Sequence, residues 1–387
     1  IFVDGFQGSP KEDQEHYITK FDENGNLVLG RFLDLMPYNN DHDVETDDYG
    51  NIYVINEYLD WRVKPGTGDS LPVGIGFLAK YDSIGTLLWY RSFGSRCSPK
   101  GIELNGNKIY ITGNFSGTLK IDNDSLVTDF YGARNGFIAR IDLDGNLLNL
   151  DGFYSTSYTF PNSLAIGKKY VYVGGWYINQ LYFETDTVIA PHSRHDFFVA
   201  QYSKDGFEFQ WVRHGKSAIN KNVRDIAISL NDELIVVGDL ESNSAALQYD
   251  TNGKYKWESI SDNFPNYSHS CIDTLGNIFL VGSLRGKLSF NEEVTIEADS
   301  INAQPIIVKL DRNGNALWAE IIPGHGGFRY IELMPDGSLY LHGSYESHLE
   351  IDGQVFTREE SYFHGVAKEN LSVGSNEKHF TEATNIY

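Results

Sequence analysis

At 387 residues, with 14% aromatic residues and 38 glycines, the chain is long enough to bury a sizeable core and rich in strand and turn formers. A formal net charge of −22 with scattered lysines and arginines excludes a phosphate-tracking nucleic-acid surface, and anionic membranes repel such a body. No apolar run reaches the roughly 18 residues of a membrane helix, and two cysteines, Cys97 and Cys271, form neither a disulfide framework nor a CxxC motif.

The chain opens on IFVDG (1–5), and this strand motif recurs as IYVIN (52–56), IYITG (109–113), VYVGG (171–175), LIVVG (234–238), IFLVG (278–282) and LYLHG (339–343). A further strand follows each copy: HYITKFD (16–22), GFLAKYD (76–82), GFIARID (136–142), FFVAQYS (197–203), SAALQYD (244–250), PIIVKLD (305–311) and the degenerate YFHGVAK (362–368). Turns such as DENGN, DSIGT, DLDGN, DTNGK and DRNGN then lead into a last strand, where Trp89, Trp211, Trp257 and Trp318 recur. Period-2 alternation marks the runs as strands. Four-strand units repeated at this spacing predict a β-propeller, whose radial stacking hides both faces of every small sheet.

The expected fold is therefore all-β: one seven-bladed propeller of four-stranded antiparallel blades over residues 1–387. In chain order the blades are 1–35, 41–92, 98–152, 161–214, 223–260, 267–321 and 328–376. The first strand of the unit has six clear copies, and the one missing should precede Ile1. The tail HFTEATNIY (379–387) is expected to supply it by pairing with IFVDG, closing the ring and removing a free sheet edge.

DDYGNIYVINEY (47–58), NGNKIYITGNFSG (105–117) with GFIARIDLDGNLL (136–148), and DTLGNIFLVGSLRG (273–286) with IIVKLDRNGNALW (306–318) carry a family resemblance. Over nearly its whole length the chain resembles the seven-bladed β-propeller repeat proteins called SBBP repeats. The resemblance implies an exported bacterial protein acting in adhesion or as a scaffold. The spacer of the fifth blade, ESN (241–243), and the turnless YFHGVAKEN of the seventh depart from the pattern.

Several constellations invite chemistry. The Asp-rich turns begin like calcium loops but lack the bidentate glutamate, so side-chain capping of a hairpin is the expectation for them. In NNDHDVETDD (39–48), Asp41, Asp43, Glu45 and Asp47 alternate along a strand and are the candidate metal ligands. No cofactor is expected, with calcium as the alternative. Aligned on their turns, the first strands place His42, Ser98, Pro161, Arg224, Ser268 and Arg329 at one position. The neighbouring position holds Asp43, Pro99, Asn162, Asp225, His269 and Tyr330. His42, Arg224, His269 and Arg329 would make a channel mouth locally positive and suited to an anionic ligand.

The spacers 57–75, 114–135, 176–196 and 283–304 vary. GTLKID (117–122), NQLYFET (179–185), GKLSFNEE (286–293) and SHLEIDG (347–353) predict added ribbons on the outside of blades. Trp61, Trp176 and Tyr177 in the spacers are candidate aromatic anchors. His192 and His195 have two-ligand spacing without a third partner nearby.

GxSxG, HExxH, P-loop and Rossmann signatures are absent, and no catalytic residues are assigned. The expected function is a non-catalytic interaction module, secreted or at the cell surface with outer-membrane association, its signal peptide removed. It would bind a protein or glycan of the cell envelope through rim and ribbons, with no nucleic-acid partner. The alternative is a hydrolase or lyase acting on a polysaccharide or other anionic substrate at the channel mouth.

Overall fold

The computed structural model describes residues 6–7, 17–21, 27–32, 43–58, 75–128, 132–190, 195–215, 221–240, 244–263, 265–333, 338–351, 354–357, 363–371 and 378–386. These residues are all-β, and no helix among them is long and apolar enough to cross a membrane. The chain forms two compact units, over residues 2–219 and 220–387.

In the first unit, Phe6–Gln7, Tyr17–Phe21 and Leu27–Phe32 make a three-stranded sheet in which Phe6–Gln7 runs parallel to Leu27–Phe32. Three four-stranded antiparallel meanders follow. Sheet 2 is Asp43–Thr46, Ile52–Tyr58, Ile75–Tyr81 and Leu87–Ser95. Sheet 3 is Cys97–Asn105, Lys108–Phe115, Asn135–Asp142 and Leu147–Ser155. Sheet 4 is Thr159–Ile166, Tyr170–Ile178, His195–Ser203 and Phe209–His214.

The second unit continues the series. Sheet 5 is Asn222–Ile228, Leu234–Asp239, Ser244–Tyr249 and Tyr255–Ile260. Sheet 6 is Asn266–Ile272, Ile278–Leu284, Gln304–Leu310 and Ala316–Ile321. Sheet 7 is Gly324–Leu333, Ser338–Ile351, Phe363–Leu371 and Lys378–Ile386. Consecutive residues of the middle strands are buried whichever way they point, as in Ile75–Tyr81 and Ile278–Leu284, because neighbouring sheets cover both faces.

The tail strand Lys378–Ile386 pairs antiparallel with Phe363–Leu371, His364 opposite Ile386, as the fourth strand of sheet 7. It is found beside the strand just before it, where a six-residue connection closes the hairpin at small entropic cost. Its expected partner, residues 1–5, lies outside the described residues.

The turn motif folds as its chemistry dictates. Asp47, Asp82, Asp142, Asp250, Asp273 and Asp311 each accept backbone N–H bonds two and four residues on, for example from Asp144 (3.0 Å) and Asn146 (2.8 Å) onto Asp142 Oδ1. The glycine after each sits at positive φ, from 73° at Gly253 to 86° at Gly276. Sheets then lock onto one another through the same turns. A Cβ on Gly314 would stand 2.4 Å from the Trp257 ring of the preceding sheet, and one on Gly145 3.2 Å from Trp89. Lys80 and Arg140 on third strands donate to turn carbonyls of the next sheet, Leu143 and Lys204.

The ribbons exist: Thr118–Ile121 with Asp124–Val127, Gln180–Tyr182 with Thr187–Ile189, Lys287–Ser289 with Thr295–Glu297, and the end of Ser338–Ile351 with Gln354–Thr357. Three of them reach the preceding sheet. Leu181 and Tyr182 pair with Ser155 and Tyr154, and Thr118 and Lys120 lie against Gly94. Asp262 N donates to Ser289 O, while Ser289 N donates to the Asp262 carboxylate. Their inward residues Leu119, Leu181, Val188 and Leu288 are buried.

Candidate functional site

A β-bulge recurs in the first strand of five sheets, at Pro99/Gly101, Pro161/Ser163, Val223/Asp225, Tyr267/His269 and Phe328/Tyr330. Opposite it stands the glycine that ends each second-strand motif. A Cβ on Gly113, Gly175, Gly238, Gly282 or Gly343 would lie 2.1–2.4 Å from a first-strand carbonyl oxygen, so only glycine admits this approach. The bulges also correct the sequence alignment. Lys100 and Asn162, rather than Ser98 and Pro161, share the bulged position with Arg224, Ser268 and Arg329, and Gly101 and Ser163 share the next one with Asp225, His269 and Tyr330. Proline and a spare residue hid this offset from a gapless reading.

In the second unit these positions build a chain of polar groups across three first strands. Asp225 is buried, and its Oδ2 accepts from Ser270 N (2.8 Å) and Ser270 Oγ (2.7 Å), with His269 Nδ1 at 3.8 Å. The His269 ring lies on Tyr330, centroids 4.1 Å apart, and Tyr330 Oη donates weakly to Glu332 Oε2 at 3.4 Å. Glu332 is exposed at its outer side, yet desolvation of its carboxyl raises its pKa, with His269 acting against that shift. The two arginines do not converge on this chain. Arg224 pairs with Asp239 (3.1 Å), and Arg329 Nε donates to Ser344 Oγ (3.3 Å). His42 lies outside the described residues.

The acidic run is dispersed by the fold. Asp43 Oδ2 accepts from Ile102 N of the next sheet (3.1 Å), as Asp225 does from Ser270 at the equivalent place in the second unit. Glu45 accepts from Thr46 N (3.3 Å), while Asp47 caps its turn and takes the Tyr53 hydroxyl (3.0 Å). Asp41 lies outside the described residues, and among the described residues no three His, Cys, Asp or Glu side chains gather around one point. An open cleft of ≈ 320 Å³ lies by the turns of sheets 5 and 6, lined by Leu230, Glu233, Trp257, Leu275 and Arg312 among others. Its Glu233 is clamped by Lys256 at 2.8 Å on both oxygens.

Of the aromatic candidates, Trp61 and likewise His192 are outside the described residues. Tyr177 is fully buried against Phe198 and offers no surface. Trp176 is half-buried in a column of stacked groups on sheet 4. Phe160 lies on one of its sides (4.3 Å, 22°) and His195 is 4.8 Å away. Tyr158, 42% exposed, stacks beside Phe160. The register makes this column, since Phe160 pairs with Trp176 and Ile178 with His195 across three strands. Arg134, exposed at the foot of sheet 3's third strand, lays its guanidinium on Phe160 at 5.5 Å. Arg134 Nη1 also approaches Asn114 Oδ1 at 3.5 Å, and the Nδ2 of that buried amide has no partner among the described residues. Sequence reasoning named Trp176 and missed Arg134, Asn114, Tyr158 and Phe160. The alternation of aromatics in SYTF (157–160) was the available signal.

No family model and no curated protein matches the sequence. Solved structures that resemble the chain include a protein of unknown function from Bacteroides caccae, at 10% identity, covering 75% of this chain and 81% of that one with a TM-score of 0.41. Another protein of unknown function, from Dyadobacter fermentans, matches at 11% identity over 72% of this chain and 92% of that one, TM-score 0.40. YCF48 bound to D1 peptide matches at 10% identity over 85% and 87%, TM-score 0.36.

Proposed function

We propose that the chain is a seven-bladed β-propeller of the SBBP-repeat type, its N-terminal three-stranded sheet being the first blade. It works as a non-catalytic interaction module, exported to the cell surface or beyond, that holds a protein or glycan of the envelope. The observation that carries this reading is the Arg134–Phe160–Trp176–His195 column. It is a stacked, partly exposed set of aromatic and guanidinium groups, the residue types that dominate binding energy at interfaces. The recurring motif residues described are, by contrast, occupied in capping turns, admitting bulges and locking sheets. Immobilised protein should retain envelope fragments of the producing cell, and Trp176→Ala should lose that retention while keeping its melting temperature within a few degrees. Retention equal to wild type would count against the column.

Hydrolysis or lysis of an anionic polysaccharide has one observation in its favour, the raised Glu332 carboxyl beside His269 and Tyr330. Release of reducing ends from a polyuronate, abolished by Glu332→Gln, would establish that reading in place of the first.

A further inference from the structure

Resting on the interaction-module reading, we infer that the column headed by Arg134 is a binding strip for a uronic acid–bearing oligosaccharide, read by its carboxylate. Three observations in the first unit converge on this class of ligand. Arg134 is exposed, and among the described residues no carboxylate pairs with it, on a chain that carries 53 acidic side chains against 31 lysines and arginines. Its guanidinium lies over the Phe160 ring, and beyond the Nη1 contact to Asn114 the described residues leave its remaining in-plane N–H groups available to an oxyanion. Beside it, the amide of Asn114 is buried, gives its oxygen to Arg134 and keeps an N–H donor that has no partner among the described residues. An unmatched buried donor costs free energy in the apo protein, and an acceptor oxygen on a ligand relieves that cost.

The rings decide what accompanies the carboxylate. Phe160 and Trp176 use their faces on each other at 4.3 Å and 22°, so what the column turns outward is ring edges. Ring edges carry the positive end of the quadrupole and favour oxygen over hydrocarbon. A saccharide presents hydroxyls and a carboxylate to such a row, while His195 adds a further polar tip at the far end. A peptide is the poorer match. The column lies across the face of sheet 4, whose inner strands are already paired on both sides, and an extended backbone finds no ladder there. The net charge of −22 repels long polyanions at range, but charges beyond about 10 Å are largely screened at physiological salt. Short oligomers are therefore the ligands to test.

Calorimetry of the whole chain with trigalacturonate, trimannuronate and a glucuronate-containing trisaccharide tests this, with maltotriose and triglutamate as controls. At least one uronate should bind, its methyl ester at least tenfold more weakly, and maltotriose not measurably. Arg134→Ala should weaken binding tenfold or more with Arg134→Lys intermediate, and circular dichroism melts of both variants should match wild type. Asn114→Ala tests the amide independently, and if it fails to fold Asn114→Asp replaces it, with the added negative charge expected to abolish binding. Binding of none of the uronates, equal binding of ester and acid, or an unaffected Arg134→Ala variant would each overturn the inference. Binding of triglutamate alone would overturn it in favour of an acidic peptide. Retention of envelope fragments that persists without uronate binding would leave the module reading standing and remove this one.

Discussion

At the scale of single residues, the repeat motif is a set of contacts that each allow one side chain. The glycine closing each second strand faces a bulged carbonyl, and at Gly282 an added Cβ would stand 2.1 Å from Asn266 O. Gly282→Ala is therefore expected to cost about 2–4 kcal/mol in urea unfolding, the range of overpacking joined to backbone displacement. IYVIN departs from the pattern with a buried Asn56 at the same place, in the one first strand, Asp43–Thr46, whose described pairing shows no bulge. The capping aspartates predict a pH dependence. Desolvation raises the Asp47, Asp142 and Asp311 carboxyls, but hydrogen bonds from Asn51, Asn146 and Asn315 and from turn amides outweigh it, so all three pKa values are lowered. Their stabilisation is thus present above the unfolded value of about 3.9 and is lost as pH falls through the depressed folded values. Melting temperatures taken downward from about pH 5 should fall less steeply in an Asp142→Asn/Asp311→Asn variant. The two thiols are free, and burial raises both pKa values, so native protein should react slowly with a thiol reagent and unfolded protein should yield two equivalents.

At the scale of elements, the ribbons were legible as short repeats, and their existence follows from alternation alone. Their attachment was not legible. The ribbon Gln180–Ile189 pairs with the last strand of the sheet before its own, and Leu181 and Val188 are buried there with Phe183, which stacks on Phe153 at 5.2 Å. Leu181→Ala should therefore destabilise by about 2–4 kcal/mol, as a core truncation does, although the segment reads as a surface insertion. A loss below about 0.5 kcal/mol, the size of an ordinary surface change, would show the ribbon to be an appendage. The column on sheet 4 is likewise a product of register. Phe160 and Trp176 are sixteen residues apart in a count the sequence supplies, yet only the pairing of Pro161 with Gly175 sets their rings face to face.

At the scale of the whole molecule, the tail tests the strand order found for sheet 7. Lys378–Ile386 completes sheet 7, so deleting it should bare the edge of Phe363–Leu371, lower the melting temperature and promote association. An unchanged melt with a monodisperse profile in light scattering would contradict that pairing. Sequence by itself determined that the protein is all-β, where its strands recur and which residues cap its turns. These depend on alternation and on the φ preferences of glycine and aspartate, interactions spanning a few residues. Tertiary structure alone decided the bulge register, the sheet that each ribbon straps, the place of the last strand and the meeting of Arg134 and Asn114 with Phe160 and Trp176. Those depend on which strands pair and on what stands across the interface from each face, and period-2 alternation is silent on both because every face of a stacked sheet is apolar.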